Sequence, residues 1–159
     1  MVKAMDHILR VFGELSARGF SSEQPFCISR NLKDIKQYAM THGVTIAGGG
    51  LYTSPRALSH MTRAIKVKNG IAVPAERIAS FPESFQSMDL YFDQSAGLFV
   101  YVDEESTTKY VIHPFYSAQV RGRKKRLIMF LTASKLKSTE NFHRDQTRYV
   151  RIQKKSAGD

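Results

Sequence analysis

The sequence has one cysteine, few acidic residues and no long apolar run. Cys27 is the only cysteine among 159 residues, so an internal disulfide is excluded and the fold must rest on its core, as in a reducing compartment. No apolar stretch approaches the ~18 residues that a membrane-spanning helix needs. Charged side chains interrupt residues 1–10, which argues against a signal peptide. We therefore expect a cytoplasmic protein with no membrane anchor.

Acidic residues are scarce, with 14 Asp and Glu against 24 Lys and Arg, and the formal net charge is +10. The imbalance is greatest after Lys109, where only Glu140, Asp145 and Asp159 are acidic. An excess of positive charge favours a polyanionic partner, nucleic acid or an anionic surface, and makes that binding depend on salt.

Several motifs for metal or nucleophilic chemistry are absent from the sequence. There is no CxxC, HExxH, GxSxG or Walker pattern, so zinc binding, nucleotide hydrolysis and serine-hydrolase chemistry have no support. Asp103, Glu104 and Glu105 lie together without spaced histidine or cysteine partners, which favours a solvated turn over a metal site. We expect neither a metal nor a cofactor.

In the first part of the chain the apolar residues recur at the spacing of a helix. Apolar residues at helical spacing predict an amphipathic helix over 3–17 and a second helix from the N-cap Asn31 to Gly43. Ser54, as N-cap, followed by Pro55 at the first helical position, predicts a third helix that runs to about Lys66. Proline-started segments then predict two short helical turns, 74–80 and 82–88.

After the predicted helices, apolar residues alternate along the chain at the period of a β-strand. The predicted strands are 90–92, 98–102, 108–115, 126–134 and a short last strand, 148–153. Pro114 is expected to end the third of them, and the basic run 121–125 is expected to form a connecting loop. The sequence therefore predicts an α+β domain in which N-terminal helices precede an antiparallel β-meander of four to five strands. Residues 1–50 are expected to form a helical extension packed on the domain of residues 51–155, and 156–159 a disordered tail.

The third helix carries three basic or titratable side chains opposite its apolar stripe: Arg56, His60 and Arg63. A histidine can accept a proton from a ribose 2′-hydroxyl or donate one to a leaving 5′-oxygen, and the arginines can hold the phosphate. An ordinary solvent-exposed polar face is the alternative interpretation.

The predicted strands carry the other candidate catalytic residues. Lys109 can stabilise the extra negative charge of a pentavalent phosphorane. Thr132 and Ser134, which continue the alternation of Ile128 and Phe130, can bind a phosphate oxygen or orient His60. Alternatively, Lys109 is a partly exposed surface residue, and the two hydroxyls are an ordinary strand residue and a strand terminator.

The strongest electrostatic feature is a run of basic residues between two predicted strands. Its members are Arg121, Arg123, Lys124, Lys125 and Arg126. Because few acids follow Lys109, contact with several phosphates is favoured over a merely solvated turn.

A series of short motifs runs through residues 51–137. The segments are "LYTSPRALSHMTR", "PAERIASFPESFQSMDLYFDQSAGLFVYVDEESTTKYVIHPF" and "RLIMFLTASKLK". The motif positions are Ser54, His60, Phe81 to Phe85, Tyr91 with Asp93, Tyr101, Lys109 to Val111, and Thr132. In their order and spacing these motifs resemble the phage-borne nuclease domains of the barnase/EndoU/colicin/RelE-like (BECR) fold. Residues 1–50 lie outside the resemblance.

The resemblance implies a metal-independent endoribonuclease, toxin-like or phage-encoded, in which 2′-hydroxyl attack leaves a cyclic phosphate. His60, Lys109, Thr132 and Ser134 would be catalytic, while Arg56, Arg63 and the basic run would bind RNA, with tRNA among the targets. The site of action would be the cytoplasm of a bacterial or phage-infected cell, and an inhibitor or immunity protein is a further candidate partner. The alternatives are a non-catalytic basic nucleic-acid-binding or phage-assembly module, and a protein-interaction domain whose charge serves solubility.

Overall fold

The computed structural model describes residues 3–18, 24–62 and 64–153. Helices and a single mixed sheet alternate along this part of the chain. The helices are α1 (Ala4–Arg18), α2 (Lys33–His42), α3 (Pro55–Met61), α4 (Ala64–Lys68), α5 (Ala75–Ser84), which a short 3-10 turn extends (Phe85–Ser87), and α6 (Glu140–Arg144).

Seven strands form one sheet in the order β1-β2-β6-β5-β4-β3-β7. Their bounds are β1 (Phe26–Ser29), β2 (Leu51–Thr53), β3 (Asp89–Asp93), β4 (Leu98–Asp103), β5 (Thr108–Val120), β6 (Arg123–Lys135) and β7 (Tyr149–Gln153). All neighbours are antiparallel except β2 and β6, which run parallel.

The predicted α+β class is confirmed, but the predicted sheet of four to five strands in a meander is wrong. Strands β3 to β6 do follow one another in space, yet β7 joins beyond β3, and β1 and β2 extend the opposite edge. The prediction missed β1 and β2 because they have only 4 and 3 residues, too few to show an alternation of period two. Their strand conformation comes from pairing within the sheet, β2 with β6 and β1 with β2.

The helix starts and ends were predicted with mixed success. Ser54 caps α3 as expected, since its Oγ accepts a hydrogen bond from the Ala57 amide at 3.1 Å. Gly43 ends α2 in the left-handed conformation, with φ of 68°, as a C-cap glycine does. Asn31 is not the N-cap of α2, because Leu32 holds that position without a side-chain cap.

Two predicted helix boundaries are wrong. The third helix ends at Met61, and a separate helix, α4, begins at Ala64. In contrast, the two proline-started turns form one helix, α5, with Pro82 inside it. Proline lacks the amide that would continue the helical ladder, and the buried Phe81 and Phe85 keep the helix on the core across this position.

The main core lies between one face of the sheet and the helices α1, α2, α3 and α5. Ile8 of α1, Leu58 of α3 and Phe81 of α5 are fully buried there. The Phe81 ring lies 4.5 Å from that of Tyr110 and 4.6 Å from that of Phe130, which are favourable aromatic separations. Burial raises the pKa of Tyr110 to about 12, so its hydroxyl stays neutral in the core.

The described part of residues 1–50 shares this core and this sheet. Ile8 and Val11 of α1 and Ile35 of α2 belong to the main core, and β1 pairs with β2. The helices α1 and α2 therefore pack on the same core as α3 and α5. The predicted disordered tail, 156–159, lies outside the described residues.

A bulge in β6 decides which side chains share a face of the sheet. Tyr110 and Ile112 of β5 point to the same face because they are two residues apart. Their cross-strand partners are Ala133 and Phe130, which are three residues apart and also lie in the main core. Leu131 is therefore the extra residue of a β-bulge.

The bulge turns Thr132 and Ser134 away from the core. The expected alternation, in which these hydroxyls share the face of Phe130, is wrong because one extra residue inverts the pattern. Thr132 instead pairs with Val111, and Ser134 pairs with Lys109. These four residues stand on the face of the sheet opposite the main core, which we call the outer face.

Gly50 should tolerate no larger residue. A Cβ there would lie 2.5 Å from the Ser29 carbonyl oxygen and 3.0 Å from Cys27 Sγ, whereas nothing lies within 4 Å of a Cβ at Gly48. Gly50→Ala should cost about 1–3 kcal/mol, because β1 must move, and Gly48→Ala about 0.5 kcal/mol or less. Urea unfolding of both variants measures the difference; equal stabilities would contradict the close approach of β1.

Candidate functional site

The basic run lies at the end of the β5–β6 hairpin. Arg121 and Gly122, with φ of 52° and 78°, form the two-residue turn that joins the strands, a left-handed pair typical of tight hairpins. Arg123 is already part of β6 and pairs with Val120. The prediction of a loop over 121–125 is therefore wrong, because the strands continue to the turn. The strand β5 likewise continues through Pro114 instead of ending there.

Four basic side chains at this end form what we call the basic tip: Arg121, Arg123, Lys124 and Lys125. All four are exposed and line one pocket together with Gln24, Pro25 and Val120. The Gln24 side-chain oxygen accepts a hydrogen bond from the Arg121 amide at 3.2 Å. None of the four forms an ion pair with an acidic residue in the described part of the chain. Their charges are therefore available to a ligand.

Arg126, the last predicted member of the run, is engaged differently. Its guanidinium lies 4.7 Å from the Phe115 ring centroid and donates a hydrogen bond of 3.1 Å to the Phe115 carbonyl oxygen. A stacked and bonded guanidinium is held in one orientation. Arg126 therefore packs on the hairpin, whereas the basic tip projects from it.

Arg56 lies close to the basic tip. It is exposed on α3 and lines a second pocket with Tyr116 and Met129, and Pro25 lines this pocket and that of the tip. The structure thus brings one predicted arginine of the third helix beside the basic run. Arg63, the other one, lies outside the described residues.

The predicted strand residues Lys109, Thr132 and Ser134 are brought together at the opposite end of the hairpin. Lys109 and Ser134 are direct cross-strand partners, and all three side chains are half-buried on the outer face. Side chains directly opposite in an antiparallel pair have Cβ atoms roughly 4.5–5.5 Å apart. An ammonium group and two hydroxyls can therefore reach one ligand.

Lys66 of α4 completes this group, which we call the lysine–hydroxyl cluster: Lys66, Lys109, Thr132 and Ser134. The Lys66 Nζ donates to Thr132 Oγ1 at 2.5 Å, to the Ala133 carbonyl oxygen at 2.8 Å and to Ser134 Oγ at 3.2 Å. Lys66 is only 8% exposed. Its three donors are those of a protonated amine, so a buried cation lies behind both hydroxyls.

This arrangement determines what the hydroxyls can do. Each hydroxyl oxygen accepts a bond from Lys66, so its own hydrogen remains available for donation. Two such donors beside the Lys109 ammonium suit an oxyanion, such as a phosphate oxygen. The sequence did not single out Lys66, because its helical pattern continued the third helix and gave no sign that the side chain turns to the edge of β6.

His60 is exposed in the last turn of α3. It makes no hydrogen bond or ion pair with any described residue. Nothing thus links His60 to the lysine–hydroxyl cluster, and its catalytic role stays a prediction.

His113 lies on β5 next to Tyr116, with ring centroids 5.5 Å apart. Burial, and second the charge of Arg126, lower the pKa of His113. Its Nδ1 accepts a hydrogen bond from the Phe115 amide at 3.2 Å, as the neutral ring can. His113 therefore acts as a packing residue beside Tyr116.

The two groups of predicted residues are far apart. Lys124 and Ser134 both lie on β6 and are ten positions apart, which corresponds to roughly 30 Å at about 3.3 Å per residue. The basic tip cannot hold the same phosphate as the lysine–hydroxyl cluster.

A third polar cluster was not predicted. Glu104, expected in a solvated turn, lies 2.5 Å from His143 Nε2, and the Arg151 guanidinium lies 2.9 Å from His143 Nδ1. Because arginine can only donate, Nδ1 is the acceptor and Nε2 donates to Glu104. Both ring nitrogens are occupied, so this cluster fixes α6 on the sheet beside Tyr91.

Residues 3–18, 24–62 and 64–153 contain no group of three or more His, Cys, Asp or Glu side chains placed to hold a metal ion. Over the same ranges, no helix combines the length and apolar character needed to cross a membrane.

Comparison of the chain with protein-family models, with curated proteins and with solved structures gives no match. The resemblance to nuclease domains therefore depends on the motifs quoted above.

Removing the Lys66 ammonium should destabilise the protein. Lys66→Met keeps the aliphatic stem but leaves the Ala133 carbonyl oxygen without this donor, which should cost about 1–3 kcal/mol. Lys68→Met, at an exposed position of the same helix, should change stability by about 0.5 kcal/mol or less. Denaturant midpoints give both values; a Lys66→Met protein as stable as its control would show that the contact contributes nothing.

Proposed function

We propose that the protein binds RNA through the basic tip. The observation that carries this proposal is that four exposed cations line one pocket and none is neutralised by a described acidic side chain. Folding gains nothing from concentrating four cations in this way, since like charges repel. A polyanionic ligand removes that cost and releases counterions when it binds.

The geometry of the tip suits a flexible phosphate backbone. The cations extend over a two-residue turn and the start of β6, so they line the pocket from successive positions along the chain. Arginine and lysine at such spacing contact successive phosphates without reading sequence. RNA is the proposed nucleic acid because the motif resemblance is to ribonucleases.

A second proposed function is metal-independent cleavage of RNA at the lysine–hydroxyl cluster. Its support is the convergence of two hydroxyl donors and the Lys109 ammonium on the outer face, with Lys66 behind them. Donors preorganised for an oxyanion stabilise charge that develops on a phosphorane. The distance to the basic tip requires the RNA to lie along the hairpin for both sites to act together.

The proposed reaction needs no cofactor. The ribose 2′-oxygen attacks phosphorus while a base accepts its proton, the bond from phosphorus to the 5′-oxygen breaks, and an acid protonates that oxygen. A 2′,3′-cyclic phosphate and a 5′-hydroxyl result. The cluster would stabilise the phosphorane, and His60 is the proposed proton-transfer group.

The same resemblance supports the finer parts of the proposal. They are a site of action in the cytoplasm of a bacterial or phage-infected cell, tRNA among the targets, and an inhibitor or immunity protein as partner. A non-catalytic nucleic-acid-binding or phage-assembly module uses the basic tip equally well and needs no lysine–hydroxyl cluster.

Loss of the basic tip should weaken RNA binding and flatten its salt dependence. With Arg121, Arg123, Lys124 and Lys125 all changed to Ala, the slope of log K against log salt should fall by about 0.7 per lost phosphate contact. The matched control removes four exposed cations elsewhere, Arg10, Lys33, Lys68 and Lys137, and should keep most of the slope. Equal slopes in the two variants would refute the tip as the binding surface.

Cleavage should proceed in EDTA and should depend on His60. His60→Ala should lower the rate by about 10²–10⁴, the usual contribution of a positioned acid or base, without changing the melting temperature. Single-turnover assays with end-labelled RNA measure the rate, and His42→Ala, at an exposed position at the end of α2, is the control. A strict requirement for a divalent metal, or full activity without His60, would exclude this mechanism.

A further inference from the structure

An apolar cluster on the outer face adjoins the basic tip. Its buried members are Ala118, Leu127 and Met129, and partly buried Tyr52 and Tyr116 pack against them. Every member comes from β2, β5 or β6, so no described helix contributes to it. Partly exposed aromatic rings therefore lie at the surface next to a concentration of positive charge.

A pocket opens on this cluster. Tyr116, Ala118 and Met129 form its apolar side, and the remainder is lined by Pro25, by Arg56 and by three uncharged polar residues, Ser54, Ser117 and Gln119. Its volume is about 170 Å³, several times the roughly 30 Å³ that one water molecule occupies. Pro25 also lines the pocket of the basic tip, so the two pockets are neighbours.

The Tyr116 ring is held in place within this pocket. The His113 ring meets it nearly edge-on, with centroids 5.5 Å apart and planes at 72°. The Phe115 amide fixes His113 through a hydrogen bond to Nδ1. A ring positioned in advance loses little conformational entropy when a planar ligand stacks on it.

We infer that this pocket receives one unpaired nucleobase while the adjoining phosphates lie on the basic tip. Aromatic, aliphatic and guanidinium groups together suit the face of a base, which stacks on aromatic side chains and on arginine planes. A paired base is stacked within its duplex and cannot enter the pocket. The protein should therefore select single-stranded over double-stranded RNA.

The inference rests on the proposed binding of RNA by the tip and adds the class of RNA that is bound. Phosphate contacts alone do not distinguish a strand with bases from one without them. The decisive comparison for wild-type protein is between an oligouridylate and an abasic ribose-phosphate strand of equal length. Both carry the same charge, and only the first offers a base to the pocket.

The experiment measures fluorescence anisotropy at fixed salt with three labelled probes: the oligouridylate, the abasic strand and an RNA duplex. Wild-type protein should bind the oligouridylate about tenfold or more tightly than the abasic strand, as expected for one stacked base. Tyr116→Leu should lose that preference and leave affinity for the abasic strand and the salt slope unchanged, whereas Tyr116→Phe should keep it. Thermal melting of both variants verifies that they fold.

The outcomes distinguish a failure of the base pocket from a failure of RNA binding by the basic tip. Equal wild-type affinity for the oligouridylate and the abasic strand, or preference for the duplex, would overturn the base pocket even if Tyr116→Leu failed to fold. In that case RNA binding by the basic tip would still be supported, provided that the four-residue variant of the tip showed a weaker dependence of RNA affinity on salt. Absence of binding to all three probes would overturn both.

Discussion

The pairing of β5 with β6 is the interaction on which the rest of the structure depends. Both strands have 13 residues, and their pairing continues from Thr108 and Lys135 to the turn at Arg121 and Gly122. One part of the hairpin supplies Tyr110, Ile112 and Phe130 to the main core. The other part extends to the basic tip. The same ladder of hydrogen bonds thus anchors the protein interior and carries its most positive surface.

The edge of β6 that β2 leaves uncovered imposes a second constraint, because its backbone groups need hydrogen-bond partners. The short β2 pairs only with Ile128 and Met129, so the remainder of β6 needs other partners for its backbone groups. Thr53 Oγ1 donates to the Phe130 carbonyl oxygen, and Lys66 Nζ donates to that of Ala133. The Ala133 carbonyl oxygen at the edge of the sheet accepts its hydrogen bond from Lys66, and this contact places the Lys66 side chain beside Thr132 and Ser134. The lysine–hydroxyl cluster has a structural reason to exist whether or not it also binds a phosphate.

The length of the hairpin separates the proposed RNA-binding surface from the proposed catalytic cluster. The basic tip and the lysine–hydroxyl cluster lie roughly 30 Å apart at a strand rise of about 3.3 Å per residue, and the apolar cluster with Tyr116 lies on the outer face between them. An RNA strand that follows this face meets cations first, then aromatic rings, then hydroxyls. A module that only binds RNA needs the first two of these features.

The sequence by itself determined the elements with strong local signals: the amphipathic helix α1, the Ser54 cap with Pro55, the Gly43 C-cap, the β3–β4 hairpin, and the basic composition of the β5–β6 turn. Each of these follows from neighbouring residues, whose spacing or conformational preference is independent of the remaining fold. Tertiary structure alone decided the strands β1 and β2, the bulge at Leu131 and the burial of Lys66. A three-residue strand has no pattern of its own, and a bulge is visible only against its partner strand. The burial of Lys66 depends on hydroxyl and carbonyl oxygens of another element that accept its hydrogen bonds.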